Sequence, residues 1–164
     1  MSAEQGDFKK LFTVDEANAT LPLVRAICTD LAKLSRDVVE RRERLANLRN
    51  VRQAQGRSDK RQDLYAEEVS QIEDELESDS RRLHEYVKEL ESLGVEPKNG
   101  VEGLVDFPSL IDGRVVFLCW QLSEPEILFW HEIEGGFAGR QPLTADSGAG
   151  QKFGSGSLES NGHD

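Results

Sequence analysis

One stretch concentrates the side chains able to do chemistry: Cys119-Trp120-Gln121-Leu122-Ser123-Glu124-Pro125-Glu126-Ile127-Leu128-Phe129-Trp130-His131-Glu132. It carries a thiol, three carboxylates and an imidazole, with two indoles among them. Cysteine, histidine and carboxylate are the ligand types of zinc and iron sites. Together they would support metal-assisted acid–base or hydrolytic work. A divalent transition metal needs three or four donors within about 2.0–2.4 Å of one point. Alternation along a strand puts Glu126 and Glu132 on the face opposite His131, so the three cannot converge. Glu124 lies in a turn and escapes that constraint, and Asp106 arrives from a neighbouring strand. The expected metal set is therefore Asp106, Glu124 and His131, with Arg140 orienting an anionic substrate. Against it stands the plainer expectation of a packed hairpin with solvated carboxylates.

Other motifs are sparse. There is no phosphate-binding glycine loop, nucleophile elbow, His-Glu-x-x-His or paired Cys-x-x-Cys. Gly135-Gly136-Phe137-Ala138-Gly139-Arg140 combines backbone freedom with a guanidinium suited to carboxylate or phosphate capture. The favoured expectation is a loop that tucks Phe137 into an open sheet face. Cys28, beside Ile27 on a core-facing helix, reads as a buried, inert thiol, and His84 as a surface residue.

The elements that must position these residues follow from glycine and proline. From Leu23 to Leu93 there is one glycine, Gly56, and no proline. Helix interiors reject proline by about 3 kcal/mol and glycine by about 1. Two long helices are predicted, broken at Gln55-Gly56-Arg57-Ser58. Thr13-Val14-Asp15-Glu16 fits a capping box with Phe12 in the staple position, opening a short helix to about Thr20. Pro22 then starts the next helix, and Gly94 closes the second long one as a left-handed cap.

Apolar steps of three and four run through Val24, Ile27, Leu31, Leu34, Val38, Leu45 and Leu48. They run again through Tyr65, Val69, Ile72, Leu76, Leu83, Tyr86, Leu90 and Leu93. Arg41 and Asp79 fill the gaps as register-setting polar residues. That period is the mark of a coiled-coil-like seam. An antiparallel hairpin turning near Gly56 brings Leu45 to Val69, Val38 to Leu76 and Leu31 to Leu83. Between Pro22 and Gln55 there are eight basic and four acidic residues; between Lys60 and Leu93, five and eleven. Opposite charge selects the partner helix.

After Gly94 the pattern turns to strands: Gly103–Phe107 stopped by Pro108, Arg114–Gln121 launched by Asp112-Gly113, and Glu126–Ile133. Apolar residues on both faces of strands two and three require cover on both sides. Beyond Leu143, five glycines and four serines in 21 residues predict a disordered tail. The expected fold is α+β: residues 8–143 form one domain, a long antiparallel helical hairpin whose base packs on a small three-stranded antiparallel sheet, and residues 144–164 form the tail.

Charge and composition bound the function. The chain has 164 residues and a net charge of −11, with 37% hydrophobic and 31% charged residues. A single domain is the default at that length. The acidic balance argues against DNA or an anionic membrane as partner. Two cysteines make no disulfide framework. The opening MSAEQGDFKK has no apolar h-region, and no apolar run reaches the ~18 residues of a spanning helix. A cytoplasmic setting is expected.

Leu11-Phe12-Thr13-Val14-Asp15-Glu16-Ala17-Asn18, Leu21-Pro22, Val105-Asp106-Phe107-Pro108, Leu118-Cys119-Trp120, Glu124-Pro125-Glu126-Ile127, Trp130-His131 and Gly136-Phe137-Ala138-Gly139-Arg140-Gln141-Pro142-Leu143 form a set. On these stretches the chain resembles the bacterial family catalogued as domain of unknown function 2203, from Leu11 to Leu143. Ser123 stands where the family has a glycine. The resemblance implies one module in a bacterial cytosol and supplies no catalytic residue to carry over.

The expected function is a non-catalytic interaction or scaffold module acting through the hairpin, as a homodimer or with another protein. The competing reading is a metal-dependent acid–base or hydrolytic enzyme. Arg57, Lys60 and Arg61 at the hairpin tip form a basic patch in an acidic protein. RNA phosphate or an acidic protein surface would suit it, and a solvated loop is the plainer expectation.

Overall fold

In the computed structural model, residues 8–55 and 59–144 are described, apart from the side chains of 54, 55 and 59–62. Helix α1 spans Val14–Gln55 and α2 Asp59–Ser92. Five strands follow: β1 (Glu96–Asn99), β2 (Leu104–Ile111), β3 (Arg114–Trp120), β4 (Phe129–Glu132) and β5 (Gln141–Pro142). A single 3₁₀ turn, Phe137–Gly139, precedes β5. The strands form one antiparallel meander in the order β1-β2-β3-β4-β5.

The ends of the helices form as their sequences require. The Thr13 N–H donates to Glu16 Oε1, and the Glu16 N–H to Thr13 Oγ1, both at 3.0 Å. This is the reciprocal capping box. At the other end Val95 N–H reaches the Leu90 carbonyl and Gly94 N–H the Glu91 carbonyl. Gly94 has φ +88°. The pair is a Schellman motif, which only a left-handed residue closes without strain.

The short first helix and the helix at Pro22 are one. Pro22 lies inside α1, where it removes a hydrogen bond and costs about 3 kcal/mol. Ala17, Leu21, Val24, Ile27, Cys28 and Leu31 are all buried across it. Each large apolar side chain so buried contributes roughly 1.5–3 kcal/mol, so a continuous stripe outweighs the proline.

The helices pair antiparallel as the seam predicts. The two polar gaps fill each other: Arg41 Nη1 lies 2.5 Å from Asp79 Oδ2. Arg41 also meets Glu75 at 3.5 Å, Arg49 meets Glu73 at 2.5 Å, and Arg44 pairs with Glu68. The basic helix is thus laced to the acidic one along their exposed flanks.

The sheet has five strands rather than three. Glu96-Pro97-Lys98-Asn99 and Gln141-Pro142 carry no apolar alternation, so nothing in their side chains announces them. They exist because the end of α2 and the loop before β5 deliver the chain to the sheet edges. Pro108 lies within β2 instead of stopping it. Its carbonyl accepts from Phe12 N–H at 2.7 Å, away from β3. In a strand, the nitrogen of a residue faces the same edge as its carbonyl, so no bond to β3 is lost. The turn into β3 is as predicted: Asp112 has φ 53° and Gly113 φ 81°, the two-residue geometry that matches strand twist. The third predicted strand is shorter, with its first residues in the turn before Phe129.

The inner face of the sheet, with Val105, Phe107, Val116, Leu118, Trp120 and Trp130, joins Phe12, Val24, Ile27, Leu31 and Leu90 in the core. The outer face is covered by side chains. Phe8 meets Phe117 edge-on at 5.7 Å, and Lys98 lies over the same ring. Arg140 stacks on Phe129 at 4.0 Å and on Phe137 at 4.6 Å. Phe137 is not tucked in: it is 46% exposed, and the guanidinium takes the place on the sheet.

Candidate functional site

Cross-strand register assembles the site on the outer face. Asp106 on β2 lies opposite Cys119 on β3, and His131 on β4 lies opposite Phe117. All three side chains are buried, at 3%, 1% and 2% exposure. One ligating atom from each lies within 4.8 Å of the other two. His131 Nε2 is 3.0 Å from Asp106 Oδ1, and Nδ1 is 2.7 Å from the Glu132 carbonyl oxygen.

Burial holds the Asp106 carboxyl above the usual carboxylate range, opposed by the neighbouring His131 and Lys98. Burial also pushes the Cys119 thiol up to about 12, reinforced by the Asp106 charge and opposed by Arg140. A thiol so placed is protonated at neutral pH and is no nucleophile on its own.

Glu124 belongs to a different arrangement. Both of its oxygens accept from Arg140 Nη2, at 2.7 and 2.6 Å, and Oε1 also accepts the Gln121 N–H. Arg140 Nη2 approaches the Cys119 carbonyl at 3.4 Å, and its buried Nε has no hydrogen-bond partner among the described residues. The carboxylate that this guanidinium captures is the protein's own. Glu126 is exposed. Glu132 pairs with Arg114 at 2.5 Å on the inner-face side of the strand, a contact that lowers its pKa.

The structure therefore brings Asp106 and His131 together and adds Cys119, with Glu124 held by Arg140 beside them. At the hairpin tip, Arg57 lies outside the described residues, as do the side chains of Lys60 and Arg61. Cys28 is buried, and its thiol is pushed up to about 11 by burial.

Two residues that sequence reading passed over fix the turn carrying Glu124. Asn18 Oδ1 accepts the Ile127 N–H at 2.9 Å, and Arg25 donates to the carbonyls of Glu124 and Pro125. Arg25 also lies over the Trp120 ring, whose Nε1–H donates to the Glu124 carbonyl. Their spacing of seven puts Asn18 and Arg25 on one helix face, the only signal that sequence offers for them.

The family described as uncharacterized conserved protein (DUF2203) matches residues 10–143, the span that includes hairpin, sheet and Arg140. The chain belongs to this family. No curated protein and no solved structure matches it. The DUF2203 span takes in the Asp106–Cys119–His131 cluster, the Glu124–Arg140 pair and both docking residues on α1. No helix among the described residues is long and apolar enough to cross a membrane.

Proposed function

We propose that this chain is a non-catalytic interaction module that self-associates through the distal half of its helical hairpin. The observation that carries this reading is the mismatch in length between hairpin and sheet. Helix α1 has 42 residues, about 63 Å at 1.5 Å per residue. Among the described residues, the core shared with the sheet takes nothing on α1 beyond Leu31. Farther out, Leu34, Val38, Leu45 and Ile72 are buried in the two-helix seam. Val39, Val51 and Leu64 remain exposed, Leu64 at 66%. A second copy is the favoured occupant because α1 is basic and α2 acidic. A twofold arrangement sets each basic helix against the other copy's acidic one, and a twofold interface must be self-complementary in this way. The catalytic alternative is disfavoured by burial: Asp106, Cys119 and His131 are all under 4% exposed among the described residues.

Sedimentation velocity over a range of micromolar concentrations tests the reading. A dimer that dissociates on Leu64→Glu or Val51→Glu, with helical circular dichroism retained, supports it. A monomer throughout overturns it.

A further inference from the structure

The proton positions at His131 lead past a merely packed hairpin. The Glu132 carbonyl oxygen can only accept, so His131 Nδ1, 2.7 Å away, carries a hydrogen. That leaves Nε2 facing Asp106 Oδ1 at 3.0 Å. A lone pair and a carboxylate oxygen repel at that distance, so a positive centre belongs between them. A proton serves these two atoms, with the Cys119 thiol hydrogen-bonded to Asp106 beside them. A metal ion would engage the Cys119 sulfur as well, since one ligating atom from each of the three residues lies within 4.8 Å of the others. Tetrahedral zinc with bonds of about 2.0–2.3 Å sets its ligands roughly 3.3–3.8 Å apart. From separations within 4.8 Å the sulfur needs to approach by at most about 1.3 Å, and the 3.0 Å Nε2–Oδ1 gap needs to widen slightly.

We infer that Asp106 Oδ1, Cys119 Sγ and His131 Nε2 bind one divalent transition-metal ion of the zinc class, leaving a fourth position to water. This inference is independent of self-association. Three further observations support it. The Nδ1–H to carbonyl bond is the outer-shell contact that orients metal-bound histidines. A thiolate beside an imidazole selects zinc, cobalt or ferrous iron over calcium and magnesium. The charges also balance. A dication with one thiolate and one carboxylate is neutral, and the flanking cations are already paired, Lys98 with Glu96 at 3.2 Å and Arg140 with Glu124 at 2.6 Å. Binding releases the Cys119 thiol proton to solvent.

The test is a cobalt titration of the untagged, chelator-treated full chain. The expected result is a near-ultraviolet thiolate-to-cobalt charge-transfer band that saturates at one equivalent and is bleached by zinc. The band should persist in Cys28→Ala and vanish in Cys119→Ser. His131→Gln and Asp106→Asn should weaken zinc binding by at least about 100-fold, the upper end of what outer-shell losses cost. Where Cys119→Ser does not fold, the wild-type and Cys28→Ala spectra decide the matter: a one-equivalent band in both supports the site. Absence of the band from the wild type, its loss in Cys28→Ala, or its survival in Cys119→Ser overturns it.

Discussion

Replacing Arg41 by leucine should destabilise the hairpin, and replacing Asp79 by leucine as well should restore it. The Asp79 side chain is 7% exposed and that of Arg41 34%. Arg41→Leu therefore strands a carboxylate in an apolar seam between Val38 and Leu45 on one helix and Ile72 on the other. Breaking a fully buried pair costs about 3–5 kcal/mol. Water reaches the Arg41 end of this one, and Glu75 shares the guanidinium at 3.5 Å, so the cost here should be nearer 2 kcal/mol. For a chain of this size that is a drop of about 4–8 °C in Tm. The double variant removes both charges and completes the three-four apolar spacing on both helices. By the same desolvation argument it should equal or exceed the wild type, by as much as about 1–4 kcal/mol. Urea denaturation of the four proteins, with m-values compared, closes the cycle. If the double variant is as unstable as the two single losses added together, the pair is not coupled across the seam and the register argument fails. The polar pair has a second consequence. A seam of leucines alone slides and admits other partners, so the more stable double variant should show a less defined oligomeric state.

Two further outcomes follow from the geometry. Gly113→Ala should cost about 1 kcal/mol in urea denaturation, wholly from its φ of +81°, because a Cβ there meets nothing within 4 Å; an unchanged midpoint would refute the turn assignment. Stability should fall as pH rises from 9.0 toward about 11, because the unfolded Cys28 thiol ionises at its ordinary value while the buried one holds its proton. The folded state then binds more protons than the unfolded one, and the loss reaches about 2–3 kcal/mol. Urea midpoints across that window should decline less steeply in Cys28→Ala, and an identical decline would refute the burial argument.

Much of the fold was legible because its signals are local and repeated. The Thr13–Glu16 box, the Gly94 cap and the Asp112-Gly113 turn each depend on a few adjacent residues, and each forms as written. The helical seam repeats over many turns, and its two polar gaps meet. The errors arise where a local rule meets a longer-range gain. Pro22 is overridden by the apolar stripe on both sides of it, and Pro108 by an edge that needs no donor from it. The edge strands β1 and β5 are held by backbone pairing, which side-chain alternation does not encode.

The site shows where that boundary falls. A two-residue turn at Asp112-Gly113 pairs Ile111 with Arg114 and, counting outward, Asp106 with Cys119. That half of the cluster follows from the turn only once Pro108 lies within β2 rather than ending it, and it places a carboxyl and a thiol side by side on one face. His131 arrives through the connection from Trp120 to Phe129, whose path no turn type dictates. Asn18 and Arg25 on α1 fix that path by taking up the backbone of Glu124, Pro125 and Ile127. The same docking explains why Glu124 is not with His131. A turn carboxylate is unconstrained only until something holds the turn, and here Arg140, Gln121 and α1 hold it together. Freedom from strand alternation made Glu124 the natural third ligand on paper. In the folded chain that freedom is spent on the guanidinium, and the side chain found beside Asp106 and His131 is that of the cross-strand neighbour Cys119.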